Sequence, residues 1–332
     1  MFRVRDKSRT LNRPLRSMAK KSTTQIWLEY IPVRILFALL GALPRRTAVR
    51  FGESLGRFAY RLAGGLRRVA HQNLEIAYPE KSAAEREAIA RGSFENLGRM
   101  LGELTQFPKA TREQLEQSIE FEFDSEESRN SPEIASIDAE RAKGRGVLLV
   151  GPHLGNWEMG VFAYSAVHHT LTYLARPLDN PLIEDFTVRL RTRFGNQPID
   201  KNNSVTKAMS ILREGGILGV LPDVNVLPRD GVFVPFFGTL ACTTSGVAMM
   251  AMRTNAMIVP MCCVWNRETK KYHVKYGRSV TSPNTGDRHR DVFEMTASFT
   301  SEMEKFVREN PDQWLWIHKR WKTRPPGEKE LY

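Results

Sequence analysis

The stretch Gly151-Pro-His-Leu-Gly-Asn-Trp-Glu-Met-Gly160 holds a histidine and, five positions on, a glutamate. An imidazole held by a carboxylate is a general base with a set tautomer and a stabilised cation. On a continuous helix, positions five apart lie about 140° from one another, so His153 and Glu158 cannot share a helical face. The local signals suggest another geometry. Val147 to Val150 reads as a short buried strand ending at Gly151, and Pro152 turns the chain. His153 then sits on a loop. Asn156 is a good N-cap, which puts Glu158 in the first helical turn, where the helix dipole favours a carboxylate. The loop histidine is expected to fold back onto that carboxylate. No serine or cysteine stands beside the pair as a nucleophile. The simplest chemistry is direct: His153 takes a proton from a hydroxyl that attacks a bound acyl carbonyl, with no covalent acyl-enzyme. Backbone N–H groups at the helix start would steady the oxyanion. Taken alone, the same spacing also fits a structural histidine capped by an acid.

The elements that must position this pair follow from hydrophobic periodicity. Short apolar runs occur at Val147–Val150, Leu171–Ala175, Ile217–Leu221 and Met257–Val264. Helical patterns lie between them at Trp157–His168, Leu182–Phe194 and Val205–Arg213. Buried strands alternating with helices predict an α/β fold, a mixed and mainly parallel sheet flanked by helices. Tyr272–Tyr276 is expected as an edge strand and Asp291–Glu309 as a final amphipathic helix. Upstream, residues 45–130 read as helical, over Ala48–Leu66 and Ala83–Thr105, with breaks at Pro79, Pro108 and the polar stretch Ser125–Pro132. No internal repeat or low-complexity tract occurs.

The chain has 332 residues and a net charge of +12, unevenly spread. Residues 1–72 carry 16 lysines and arginines against three acids, while the other 260 residues are nearly neutral. Such a segment seeks an anionic surface. Residues 26–43, IWLEYIPVRILFALLGAL, are apolar but interrupted by Glu29, Pro32 and Arg34. The expectation is a helix lying in, or partly inserted into, a membrane interface. Arginines 45, 46, 50, 57, 61, 67 and 68 follow and would keep the flanks cytoplasmic. They sit among apolar residues at helical spacing, which disfavours a nucleic-acid-binding reading. Three cysteines without CxxC spacing (Cys242, Cys262 and Cys263) read as small buried residues in a reducing compartment.

The longer strings carry more specificity. Gly151-Pro-His-Leu-Gly-Asn-Trp-Glu resembles the catalytic block of the bacterial lipid A biosynthesis (lauroyl/myristoyl) acyltransferases, within the wider HxxxxD/E lysophospholipid acyltransferase superfamily. Ala175-Arg-Pro-Leu-Asp-Asn-Pro-Leu, Arg191-Thr-Arg-Phe-Gly and Pro198-Ile-Asp-Lys resemble the patches that follow it. Leu221-Pro-Asp-Val-Asn with Gly231-Val-Phe-Val-Pro-Phe-Phe-Gly, then Thr243, resembles the third block, and Val259-Pro260 the fourth. Gln313-Trp-Leu-Trp-Ile-His-Lys-Arg-Trp-Lys-Thr-Arg-Pro resembles the carboxyl-terminal signature. The likeness spans residues 26–328 in the right order. One departure follows the proline of the third block, where relatives often have Asp-Gln or Asp-His and this chain has Asp223-Val224-Asn225.

The resemblance implies a glycerol-3-phosphate acyltransferase-like fold. Residues 1–44 would be a basic tail with a membrane-associating helix, and 45–332 an acyltransferase domain with a helical part (45–130) and an α/β catalytic part (146–328). It implies an O-acyltransferase at the cytoplasmic face of the bacterial inner membrane. The co-substrate would be an acyl carrier protein or CoA thioester, the acceptor a hydroxyl of an acyl-lipid such as a lipid A precursor, and no metal or bound cofactor would be needed. A lysophospholipid or glycolipid acceptor fits the same residues. The expected partners are an anionic membrane surface, the acyl carrier and the acyl-lipid, with no nucleic acid. His153 and Glu158 are the expected catalytic pair. Arg176, Arg191 and Arg193 are candidates for holding phosphate, since guanidinium binds such oxygens bidentately. Asp223, at a strand end, would orient an arginine or the acceptor hydroxyl. Gly238 would allow a tight turn near the substrate, and Thr243 with Thr244 would donate to phosphate or cap a helix. Trp314, Trp316 and Trp321, mixed with cations, suit either a headgroup boundary or packing onto the sheet.

Overall fold

The computed structural model of the chain describes residues 21–122, 137–200 and 205–332. The basic residues before position 21, the expected break at Ser125–Pro132 and Lys201 lie outside the described residues. The helical amino-terminal part comprises α1 (Thr23–Ala42), α2 (Arg45–Leu62), α3 (Gly64–Ala77), α4 (Ala83–Leu104) and α5 (Arg112–Ser118). The expected single helix over Ala48–Leu66 is two helices that meet at Ala63. Gly64 and Gly65 follow that break, and glycine is the weakest ordinary helix former. Ser82 opens α4 with a capping box closed by Glu85.

The strands are β1 (Ile119–Phe121), β2 (Val147–Val150), β3 (Thr172–Ala175), β4 (Gln197–Asp200), β5 (Ile217–Val220), β6 (Gly231–Phe236), β7 (Thr239–Thr244), β8 (Met257–Asn266) and β9 (Lys271–Tyr276). Seven of them form one sheet in the order β1-β9-β8-β2-β5-β3-β4. Every neighbouring pair is parallel except β8 and β9, which form an antiparallel hairpin. The mainly parallel, mixed α/β sheet is thus the expected one. Tyr272–Tyr276 is not its edge, because Ile119–Phe121 pairs alongside it. Three residues are too few to stand out against the helical pattern around them.

The central strand β2 is buried along its whole length and shows why the sheet is covered on both faces. Val147 and Leu149 pack with Phe162 and Tyr272 on one side. Leu148 and Val150 pack with Leu212 and Phe299 on the other. Successive strand side chains alternate between faces, so a continuous apolar run needs helices on both. The crossover helices are Trp157–Val167, Pro181–Arg191 and Val205–Arg213. Gly246–Thr254 and Arg288–Glu309 complete the layer beside β8. The shorter Ile137–Ala142 precedes β2.

A third buried cluster joins α3 and α4 to the carboxyl terminus through Leu74, Phe94, Phe236, Trp314, Trp316 and Trp321. All three tryptophans are buried, so they pack in the core and do not face a headgroup boundary. Phe236 sits in the hairpin β6–β7, which the sequence pattern did not reveal. The hairpin turns on Phe237 and Gly238, both with positive φ (53° and 72°), a backbone hand that suits twisted two-residue loops and favours glycine.

Helix α1 is tied to the body at both ends. The Asn180 side chain donates to Ile26 O at 2.9 Å, Gln106 to Leu40 O at 3.0 Å, and Lys109 Nζ to Gly41 O and Leu43 O at 2.7 and 3.0 Å. The helix runs unbroken through Pro32 for 20 residues, carries only Glu29 and Arg34 as charges, and is long and apolar enough to cross a bilayer.

Candidate active site

Strands β2 and β5 lie side by side with Val150 opposite Val220, and each gives way to a loop that continues outward. Three residues further along each loop stand His153 and Asp223. They carry on the strand register, and their side chains meet: His153 Nδ1 lies 2.6 Å from Asp223 Oδ1. The His153 backbone N–H donates to Asp223 Oδ2 at 2.7 Å, and Trp314 Nε1–H donates to the same oxygen at 2.9 Å. An ionised carboxylate only accepts, so Nδ1 carries the hydrogen and Nε2 keeps its lone pair. This is the crevice beyond the carboxyl ends of parallel strands, where open α/β sheets gather their sites.

The local geometry of the opening motif is as expected. Asn156 caps helix Trp157–Val167 by accepting from Met159 N–H, and Glu158 stands in its first turn. Gly155 precedes the cap at φ +65°, where a Cβ would lie 2.0 Å from the Cys263 carbonyl oxygen. Only glycine lets the loop cross β8 so closely, which aims His153 at β5.

The expected pairing of His153 with Glu158 is replaced by another. The Glu158 carboxylate is held by Arg191 in a two-pronged ion pair, Nε donating to Oε2 at 2.7 Å and Nη2 to Oε1. Both side chains are largely buried, and Arg191 lies at the end of helix Pro181–Arg191. The planar guanidinium satisfies both carboxylate oxygens at once, which one imidazole nitrogen cannot do. Glu158 still acts on His153 through space. Burial alone would lower the His153 pKa, but the charge and hydrogen bond of Asp223, with a further contribution from Glu158, hold it above the usual value. Asp223 is fully buried, which would raise its pKa. His153 and the donors around it hold it down at about 2. For Arg191, burial works against the charge, and Glu158 more than offsets it.

His153, Glu158, Arg176 and Arg191 line one cavity of about 580 Å³. Its walls are mostly apolar, with Trp157, Tyr173, Met209, Val224, Met249 and Met250 among them. The ring of Trp157 stands edge-on to that of His153, with centroids 5.1 Å apart. The methionines come from helices Val205–Arg213 and Gly246–Thr254, and their unbranched thioethers suit a wall that adapts to a flexible chain.

The remaining expected residues are more scattered. Arg176 is on the cavity rim, in an exposed ion pair with Asp179. Arg193 is outside the cavity and donates to the Phe107 carbonyl. Gly238 serves the β6–β7 turn. Thr243 is fully buried, and its hydroxyl accepts from Arg320 Nη2 at 2.5 Å, while Arg320 Nη1 donates to Cys242 O at 3.0 Å. Neither Gly238 nor Thr243 lines the cavity; Thr244, one residue on, does. The departure at Val224-Asn225 has a structural role. Val224 lines the cavity. Asn225 binds the carboxyl-terminal segment, donating from Nδ2 to Thr323 Oγ1 and accepting from Thr323 N–H, both at 2.9 Å. Its backbone N–H donates to His318 Nε2 at 3.0 Å. The residue sequence reasoning missed is Trp314. A tryptophan beside other buried tryptophans signals packing, and nothing in the pattern marks its N–H as a partner for Asp223. The three cysteines are free and buried.

Residues 17–323 match the family described as bacterial lipid A biosynthesis acyltransferase. The chain is 29% identical over 311 residues to the lipid A biosynthesis lauroyltransferase of Escherichia coli (strain K12), covering 92% of this chain and 95% of that one. It is 27% identical over 312 residues to a lipid A biosynthesis acyltransferase of Haemophilus influenzae, covering 93% and 91%. It is 25% identical over 278 residues to the lipid A biosynthesis myristoyltransferase of Escherichia coli (strain K12), covering 84% and 82%. The chain is an acyltransferase and belongs to the bacterial lipid A biosynthesis acyltransferase family.

Proposed function

We propose that the enzyme moves a fatty acyl chain from an acyl carrier protein or CoA thioester to a hydroxyl of a lipid A precursor, at the cytoplasmic face of the bacterial inner membrane. The observation that carries this reading is His153, paired with Asp223 and lining an apolar cavity, with Nε2 free of any hydrogen bond among the described residues. The acyl chain lies along the methionine-lined wall. Nε2 removes the proton from the acceptor hydroxyl as its oxygen attacks the thioester carbonyl. The imidazolium that forms is stabilised by Asp223. As the tetrahedral adduct collapses, the new ester C–O bond is complete and the C–S bond breaks. The proton passes from Nε2 to the departing sulfur, leaving ester and free thiol.

Glu158 and Arg191 act beside this exchange. Their pair braces the first turn of helix Trp157–Val167 against helix Pro181–Arg191, and the guanidinium supplies positive charge beside the developing oxyanion. Arg176 on the rim suits a phosphate of the acceptor or of the pantetheine arm. Helix α1 exposes Leu28, Ile31, Ile35 and Leu39, which holds the cavity near the bilayer where both lipids reside.

The test is transfer by purified protein, crossing acyl carrier protein and CoA donors with lipid A precursors, lysophospholipids and glycolipids. Transfer to the lipid A precursor should dominate. A folded His153→Ala protein should lose it by about 10²- to 10⁴-fold, the usual worth of a general base. Full activity in that variant would overturn the assignment.

A further inference from the structure

A second cavity, also of about 580 Å³, lies between α1 and helix Pro181–Arg191, separate from the one that holds His153. From α1 it is lined by Tyr30, Arg34, Phe37, Ala38 and Gly41, and from the second helix by Phe186, Arg189 and Leu190, with Arg193 just beyond its end. Steps of three and four place each set on one helical face, so two faces confront each other across the space. Lys109 closes the rim.

Four cations therefore edge this cavity, and no acidic side chain among the described residues lines it. Their existing partners are weak or neutral. Arg34 rests over the Phe186 ring at 4.3 Å. Arg189 pairs with Asp185 on the same helix at 2.5 Å, with both side chains more than half exposed. Such a pair contributes little in water. Among the described residues, Lys109 and Arg193 donate only to backbone carbonyls. The nearby acid Glu29 is engaged by Lys21 and Asn180.

We propose that this cavity seats the phosphate headgroup of an anionic membrane phospholipid. The inference rests on the membrane-bound reading above and extends it to a specific lipid site. Guanidinium groups grip phosphate oxygens bidentately. Tyr30, Phe37, Phe186 and Leu190 offer apolar surface to the glycerol and upper acyl carbons. The opposite face of α1 presents Leu28, Ile31, Ile35 and Leu39 to its surroundings, which sets the cavity at headgroup depth. A soluble phosphate compound would have no use for that outward apolar face. From the same helix as Arg189, Arg191 lines the catalytic cavity. A lipid seated here thus docks the active site onto the membrane.

The test is flotation of the full chain with vesicles of phosphatidylcholine alone or mixed with phosphatidylglycerol. The double variant Arg34→Gln/Arg189→Gln is set against Arg46→Gln/Arg50→Gln, which removes the same charge from exposed positions of α2 outside the cavity. A lysine pair, Arg34→Lys/Arg189→Lys, keeps the charge and loses the fork. The cavity pair should lower binding to the anionic vesicles about five-fold per cation and roughly 25-fold together. The lysine pair should fall between that and wild type, and the α2 pair should lose distinctly less than the cavity pair. Equal losses from the cavity and α2 pairs would reduce the effect to diffuse charge and overturn the site. If wild type binds inorganic phosphate and the cavity pair does not, yet the two float equally with anionic vesicles, the ligand is free phosphate and the lipid assignment fails. Acyl transfer in detergent micelles is measured in parallel. His153→Ala should abolish transfer and leave flotation intact, so failure of the lipid site and failure of the acyl-transfer reading are distinguishable.

Discussion

His153 and Asp223 stand 70 residues apart and touch at 2.6 Å, and 70 is also the offset of every pair along the β2–β5 ladder, from Val147–Ile217 to Val150–Val220. The contact prolongs the sheet register past the strand ends. Whatever preserves that register preserves the pair, and whatever shifts it by one residue turns one partner away.

Asp223→Asn should retain the side chain's shape and lose its charge. His153 is held protonated at higher pH than an ordinary histidine, and only its neutral form is a base. Wild-type kcat/KM should therefore climb as pH rises through that raised value. In Asp223→Asn the climb should move to lower pH, with the plateau reduced ~10²-fold or more as the cation loses its partner. An unmoved acidic limb would assign the orienting role to another residue.

Asp223 also makes stability depend on acid. Its folded pKa is lowered, so the stability it contributes is present above the ordinary value of 3.8 and is lost as pH falls toward about 2. Tryptophan fluorescence followed through acid titration should show wild type losing stability across that window. Asp223→Asn, less stable at neutral pH, should lose comparatively little more.

Glu158 and Arg191 should behave as a unit. Glu158→Gln and Arg191→Gln each leave a mostly buried partner uncompensated, so each should reduce transfer and thermal stability. The double variant should be little worse than either alone, with a coupling of about 1–3 kcal/mol. Additive losses in a double-mutant cycle would mean that the pair is incidental.

Thr243→Val should separate structure from binding. The hydroxyl accepts from Arg320, which is fully buried. Its loss should destabilise by about 1–3 kcal/mol while KM for both substrates stays near wild type. A rise in KM without loss of stability would restore Thr243 to the binding site.

Met209→Trp should narrow the apolar wall between helices Val205–Arg213 and Gly246–Thr254. In competition between donors, preference should move toward shorter acyl chains by about four-fold per methylene excluded, the equivalent of ~0.8 kcal/mol of lost burial. An unchanged chain-length profile would place the acyl chain elsewhere.

Much of this molecule is legible in its sequence. The continuous apolar run of β2 called for a sheet covered on both faces. Asn156 marked a helix start, and Glu158 fell in the first turn as that cap requires. These are local matters, settled within a few residues by periodicity, capping and backbone freedom. The hairpin β6–β7 escaped notice because Phe233, Phe236 and Phe237 read equally well as general core.

Which carboxylate meets His153 was a different kind of question. Glu158 is five residues away and Asp223 seventy, and proximity along the chain favoured the first. The parallel register of β2 and β5 decided for the second, and helix Pro181–Arg191 brought a guanidinium that claimed Glu158. Arg191 and Arg193, two residues apart, likewise went to different places: the helix ends at Arg191, and Arg193 lies beyond it and donates to the Phe107 carbonyl. The sequence by itself determined the imidazole, the carboxylates and the loops and caps that bear them. Only the tertiary structure decided their partners, because strand register and helix packing are set by burial across the whole sheet and leave no mark in any short stretch of chain.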